Sequence, residues 1–177
     1  MKKLLIAFLV CTLNFTAFSQ ITLIRNNGQK IEGAKIVYKT GKVFVATVGN
    51  DGGIAFKISD IKQIISSEPA ALRSMRGAYN GGKFAAVATP KGKAAADKNK
   101  NLGWGKRAAF YYGMSLFRNG DANAAEKVFK NSISCIDGND PELDNQLIKL
   151  GEAFCKLKSR GGAGVETILK SLAKKLK

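Results

Sequence analysis

Histidine is absent from the 177-residue chain. With it go the commonest general base and the commonest metal ligand. No serine or cysteine has an imidazole to activate it, no pair of carboxylates stands out, and no metal-ligand spacing occurs. Neither an enzyme nor a cofactor is expected. Acidic residues are scarce too: 13 Asp plus Glu face 29 Lys plus Arg, a formal net charge of +16. Such an excess favours anionic partners, whether lipid headgroups, acidic glycans, nucleic acid or acidic proteins. Long apolar runs are missing as well. The run Leu4–Val10 is too short to span a bilayer comfortably, and nothing after it could span one.

What that run fits is an export signal. Met1-Lys2-Lys3 is a positive start, and Ala17-Phe18-Ser19 is a small-x-small cleavage site, so a Sec signal peptide over residues 1–19 with cleavage before Gln20 is predicted. Val10 precedes Cys11 where lipoprotein processing wants a small residue, so a lipid anchor is not expected. The protein is read as periplasmic or secreted and bacterial, and there nucleic acid is not an expected partner. Cys135 and Cys155 remain after cleavage. Export would permit a disulfide, but on antiparallel helices turning near Asp140 the two would sit roughly 15 Å out of level. A bridge needs Cα atoms within about 7 Å. Both are read as small buried apolar residues.

Residues 20–66 read as strands. ITLIR, an Asn-Gly turn and QKIEGAKIVYK suggest a hairpin; KVFVATV and GIAFKI, separated by the turn GNDGG, suggest two more strands. Tight turns between short strands predict a β-meander closing into a small SH3-like barrel. About 45 residues is a marginal core, so this part should pack on the C-terminal remainder of the chain.

From Ser67 the apolar period lengthens from two to nearly four. Three stretches share a layout of helix, glycine turn and helix: AYNGGKFAAVA, LFRNGDANAAEKVF and LKSRGGAGVETIL. Their turn glycines Gly82, Gly120 and Gly161 recur at about 40 residues. Gly77–Phe84 is one residue short of a phosphate-binding loop. A P-loop needs a preceding strand and a Ser or Thr hydroxyl; AALRSMR has helical composition and the last position is Phe84, so a nucleotide site is rejected. Ala108–Ile133 resembles a tetratricopeptide repeat (TPR). Gly113 stands midway along the first helix, where that family keeps a small residue so that the helices approach closely. Asn119-Gly120-Asp121 follows as the turn, then Ala125 and Phe129 as the small residue and large aromatic of the second helix. Ser132 replaces a further Ala, and Asp137 replaces the usual terminal proline. Gly151 matches the close-packing position in the third unit. In the first unit Met75 falls where a small residue is expected and Pro90 interrupts the second helix. The resemblance covers about 110 residues and implies stacked helix pairs with a concave binding groove. The fold class expected is therefore α+β: the meander, then over 67–177 a TPR-like solenoid of about three helix pairs.

Other stretches admit plainer readings. Ser134–Gln146 clusters Asp137, Asp140, Glu142 and Asp144, but Pro141 and Ile148 break the calcium-loop pattern. Asp140 as N-cap with Pro141 at the first helical position is preferred. Lys91–Arg107 reads as a basic linker holding part of a helix, with Lys106 and Arg107 as candidate partner contacts. Trp104 is either a binding aromatic or a staple onto the next helix, and the staple is preferred. Phe110, Tyr111 and Tyr112 cannot all face one way; Tyr111 and Tyr112 are candidates to line the groove. The C-terminal stretch GVETILKSLAKKLK is amphipathic, with Val165, Ile168, Leu169, Leu172 and Leu176 on one stripe. A cap on the stack is preferred there, while Lys170, Lys174, Lys175 and Lys177 are candidate contacts to an anionic surface.

Two functions are expected from different classes. The first is a non-catalytic scaffold of the cell envelope that binds a protein or peptide in the TPR-like groove. The second is a basic surface binder of anionic lipid or glycan, or of peptidoglycan through the β part.

Overall fold

The computed structural model describes residues 20–47 and 50–160. The predicted signal peptide, the Gly161-Gly162 turn and the amphipathic C-terminus with Lys170, Lys174, Lys175 and Lys177 lie outside them. The chain is mixed α+β: two small antiparallel sheets, then a run of helices.

Six strands are present among the described residues: β1 (Ile21–Arg25), β2 (Lys30–Gly33), β3 (Lys35–Lys39), β4 (Lys42–Thr47), β5 (Asn50–Lys57) and β6 (Ile61–Ile65). The first sheet has the order β2-β1-β6 and the second β3-β4-β5. β1 and β2 form the expected hairpin, with Gly28 at φ +85°. The structure departs from the sequence expectation in three ways. QKIEGAKIVYK is not one strand but two, broken at Ala34, which lets the chain leave one sheet for the other. Gly33 permits this corner: a Cβ there would lie 2.3 Å from a methyl of Val45. Second, the expected turn GNDGG mostly belongs to β5, where Gly53 takes φ +61° near a register shift against β4. Third, β6 returns to pair with β1, so the strands do not form a simple meander. Ile21, Leu23, Val43, Val45, Phe56, Ile61 and Ile64 fill the space between the sheets.

The helices are α1 (Ala70–Asn80), α2 (Phe84–Val87), α3 (Pro90–Asn99), α4 (Gly105–Arg118), α5 (Ala122–Ser132) and α6 (Pro141–Arg160). The near-match to a phosphate loop begins inside the last turn of α1 and ends at the first residue of α2. Pro90 does not interrupt a helix but starts one. It sits at the first position of α3, and the Thr89 hydroxyl accepts from the Gly92 amide at 3.2 Å. The expected linker is thus largely helical. Asp121 caps α5 and Asp140 caps α6, each accepting from an amide three residues on, at 2.9 and 3.1 Å.

The two parts share a seam. Ile136, in the loop between α5 and α6, is buried in the β core. Beside it the Ile64 amide donates to the Asp137 carbonyl at 2.9 Å, and Gln63 Nε2 to the Gly138 carbonyl at 2.7 Å. Asn139 exchanges hydrogen bonds with the Ser66 backbone at 3.0 and 2.9 Å. The loop backbone runs hard against Gly103: a Cβ on Gly138 would lie 1.8 Å from its carbonyl oxygen.

Candidate functional site

Phe129 organises the helical layer. It is fully buried, and its ring lies against two glycines on different helices: a Cβ on Gly113 would come within 2.6 Å of it, and on Gly151 within 2.4 Å. Both glycines therefore act as sockets for one ring, which draws α4, α5 and α6 together. Ala125 is buried in the same cluster, and Gly120 turns the chain between α4 and α5 at φ +96°. All five repeat-packing residues expected from the sequence belong to this interlock or its turn.

The aromatic trio on α4 divides three ways. Phe110 is core at 7% exposure. Tyr112 faces α3 and lines a cleft of 370 Å³ with Lys93, Lys100, Asn131 and Cys135. Tyr111 sits on the front, half-buried, packed against both helical clusters. Its ring lies 5.7 Å from Phe110 and 5.4 Å from Tyr79 of α1, and Tyr79 lies 5.4 Å from Phe84. Further along α4, the Phe117 ring lies 6.0 Å from that of Phe154 of α6, tilted by 44°. The spacing 107, 110, 111, 114, 117 and 118 places Arg107, Phe110, Tyr111, Met114, Phe117 and Arg118 on one helical face. The front is thus a strip of aromatic residues drawn from four helices, α1, α2, α4 and α6, with the buried Met114 separating Tyr111 from Phe117.

Cations rim the strip. The Arg118 guanidinium lies 5.8 Å from the Phe84 ring centre and the Lys158 ammonium 5.4 Å from that of Phe117. Burial raises the Tyr79 and Tyr111 phenols above their ordinary value, against the opposing pull of Arg118 on the first and of Arg107 and Arg76 on the second. Both tyrosines are therefore neutral hydrogen-bonding groups at physiological pH.

Three sequence candidates turn out to be committed elsewhere. Trp104 is 7% exposed, and its indole N–H donates to Ser66 Oγ at 3.0 Å, so it staples α4 to the end of the β part. Lys106 is buried and pairs with Asp137 at 2.5 Å across the seam. Arg107 binds the buried Asp144 at 2.6 Å, and its guanidinium lies 5.7 Å from the Trp104 ring centre. None of the three offers a free contact surface. Conversely, Tyr79, Phe84, Phe117, Phe154, Arg118 and Lys158 are not among the residues expected from the sequence. The seven-residue interval from Phe110 to Phe117 was the available signal; the others come from different helices and needed the fold.

Cys135 and Cys155 are both free and buried, and burial pushes each thiol up to about 11. Near neutral pH neither should be alkylated by iodoacetamide in the folded protein, and both should be alkylated in denaturant, as read by mass spectrometry. A rapid native adduct at Cys135 would mean that its cleft opens.

Among the described residues no helix is long and apolar enough to cross a membrane, and no three potential metal ligands converge. No family model, no curated protein and no solved structure matches the chain.

Proposed function

We propose that the protein is a non-catalytic interaction module of the bacterial cell envelope whose helices, paired as in tetratricopeptide repeats, bind a peptide or protein segment on their front face. The observation that carries this reading is the half-buried aromatic strip from Tyr79 through Tyr111 to Phe117 and Phe154, rimmed by Arg118 and Lys158. Rigid aromatic surface with cations at its edge suits an extended segment carrying apolar and acidic side chains. The interlock of Phe129 between Gly113 and Gly151 supports the repeat-like pairing. For the N-terminal part, the corner at Ala34, where the chain leaves β2 of one sheet and enters β3 of the other, supports an SH3-like barrel. The Lys-Lys start and the small-x-small site before Gln20 support export.

The test is peptide selection. The chain from Gln20 onward would be panned against a random peptide library, and the selected peptides measured by calorimetry. Acidic peptides with an aromatic or branched apolar anchor are expected. The double substitution Arg118→Glu/Lys158→Glu should weaken them about tenfold and flatten their salt dependence, because rim charges act mainly through long-range attraction. Selected peptides that bind the double variant unchanged would remove the front face from consideration. Failure to select any peptide, with salt-sensitive retention on acidic glycan, would favour the charge excess as the working feature.

A further inference from the structure

The second sheet has an outer face distinct from the aromatic strip on the helices. Val43, Val45 and Phe56 point into the core, so strand alternation turns Lys35, Val37 and Lys39 of β3, Lys42 and Phe44 of β4, and Ala55 and Lys57 of β5 outward. The register aligns them in rows. Lys39 pairs with Lys42, and Lys42 with Lys57, while Val37 pairs with Phe44, and Phe44 with Ala55. Three lysines thus stand directly opposite one another across the whole sheet, over about 10 Å. Beside them runs an apolar row, with Val37 40% exposed and Phe44 half-buried. Lys35 closes the far side.

Like charges directly opposed across strands weaken a sheet. Nothing described in the fold compensates: Lys35, Lys39, Lys42 and Lys57 are exposed, and among the described residues none pairs with a carboxylate. We infer that this face docks on an anionic phospholipid bilayer. A lysine row alone would suit any polyanion. The apolar row decides between them, because a soluble glycan or nucleic acid strand would leave Val37 and Phe44 in water. A bilayer interface takes up apolar side chains while the long lysine stems hold their ammonium groups among the phosphates.

The experiment is vesicle sedimentation near neutral pH with the chain from Gln20 onward. That form keeps every described element and omits the Leu4–Val10 run, which would bind lipid by itself. Binding is expected to phosphatidylcholine vesicles that contain phosphatidylglycerol and not to those that lack it. The triple substitution Lys39→Gln/Lys42→Gln/Lys57→Gln should lower partitioning about a hundredfold. It should melt no lower than the wild type, since it removes opposed like charges. The control Lys91→Gln/Lys98→Gln/Lys127→Gln removes the same charge from exposed helix positions and should lower partitioning less than about threefold. Val37→Ser should weaken vesicle binding and leave binding to soluble polyphosphate unchanged. Equal losses from both triples, retained binding in the sheet triple, or a Val37→Ser variant that binds vesicles like the wild type would each overturn the proposal. The front-face peptide site is tested separately and can stand or fall without it.

Discussion

Replacing Gly151 or Gly113 with valine should destabilise the protein by about 3 kcal/mol, the upper end of what overpacking a core costs. At an ordinary helical site the same glycines would be liabilities, since alanine is better by about 1 kcal/mol in a helix interior. Here the sign reverses. Each glycine faces the Phe129 ring at a separation that no real Cβ tolerates, 2.6 Å for Gly113 and 2.4 Å for Gly151. The ring cannot retreat from one without meeting the other. Phe129→Ala removes the conflict and leaves an unfilled space, at a cost of about 3–5 kcal/mol. The pair should couple: Gly151→Ala/Phe129→Leu should lose clearly less than the two single changes together. Gly77 on α1 is the internal contrast. A Cβ there meets nothing within 4 Å, so Gly77→Ala should stabilise by roughly 0.5–1 kcal/mol. Guanidinium unfolding followed by Trp104 fluorescence would report all of these, because Trp104 is the sole tryptophan and is buried at the seam. Additive losses for Gly151→Ala and Phe129→Leu, or a neutral Gly151→Val, would mean that the ring is not held between the two helices. Against a typical total stability of about 5–15 kcal/mol, either large single change removes a substantial part of the fold.

The positions of this interlock were legible in the sequence because they sit within a local pattern. Gly113, Ala125 and Phe129 fall inside one helix–turn–helix stretch, and Gly151 repeats the first of them. What escaped was of two kinds. Pro90 begins a helix rather than interrupting one, and the signal for that was local, since Thr89 before a proline is an N-cap followed by a first helical residue. β6 was not separable as a strand because Ile61, Lys62, Gln63, Ile64 and Ile65 do not alternate cleanly: the strand shifts register against β1 near Arg25. The other kind could not have been read locally. Lys106 and Asp137 are 31 residues apart and Arg107 and Asp144 are 37 apart, yet each pair forms one contact. Their charges look like free surface until the loop between α5 and α6 is seen to fold back across the end of the β part. The front strip shares that character. Tyr111 was visible as a candidate, but Tyr79 and Phe84 join it from α1 and α2, and Phe154 joins Phe117 from α6, so the grouping needed the placement of four helices.

The second large effect concerns one of those committed charges. Arg107→Met should cost about 3–5 kcal/mol near neutral pH, because it leaves the Asp144 carboxylate buried without its partner. Asp144 lies in the first turn of α6 with its side chain 3% exposed, and Arg107 Nε and Nη2 both reach its Oδ1 at 2.6 Å. Burial pushes the Asp144 carboxyl above its ordinary value of 3.8, and the guanidinium pulls it back only in part. A carboxyl whose folded pKa lies above its unfolded value holds its proton more tightly when folded. Its contribution to stability is therefore greatest below the unfolded pKa and is lost as pH rises through the folded one. Deleting Arg107 removes the opposing pull, so the folded pKa climbs further and the loss deepens over a wider pH window. The variant should consequently regain stability relative to the wild type as the pH is lowered from neutral towards the ordinary aspartate range, because protonation removes the stranded charge. The double substitution Arg107→Met/Asp144→Asn should recover most of the loss at neutral pH, since an amide of the same shape carries no charge to strand. A residual deficit of about 0.5–1 kcal/mol is expected from the lost contact of the guanidinium with the Trp104 ring. Urea unfolding of the wild type and both variants across this pH range would decide it. A single variant whose deficit is independent of pH, or a double variant no more stable than the single, would mean that Arg107 acts through packing rather than by compensating a buried charge.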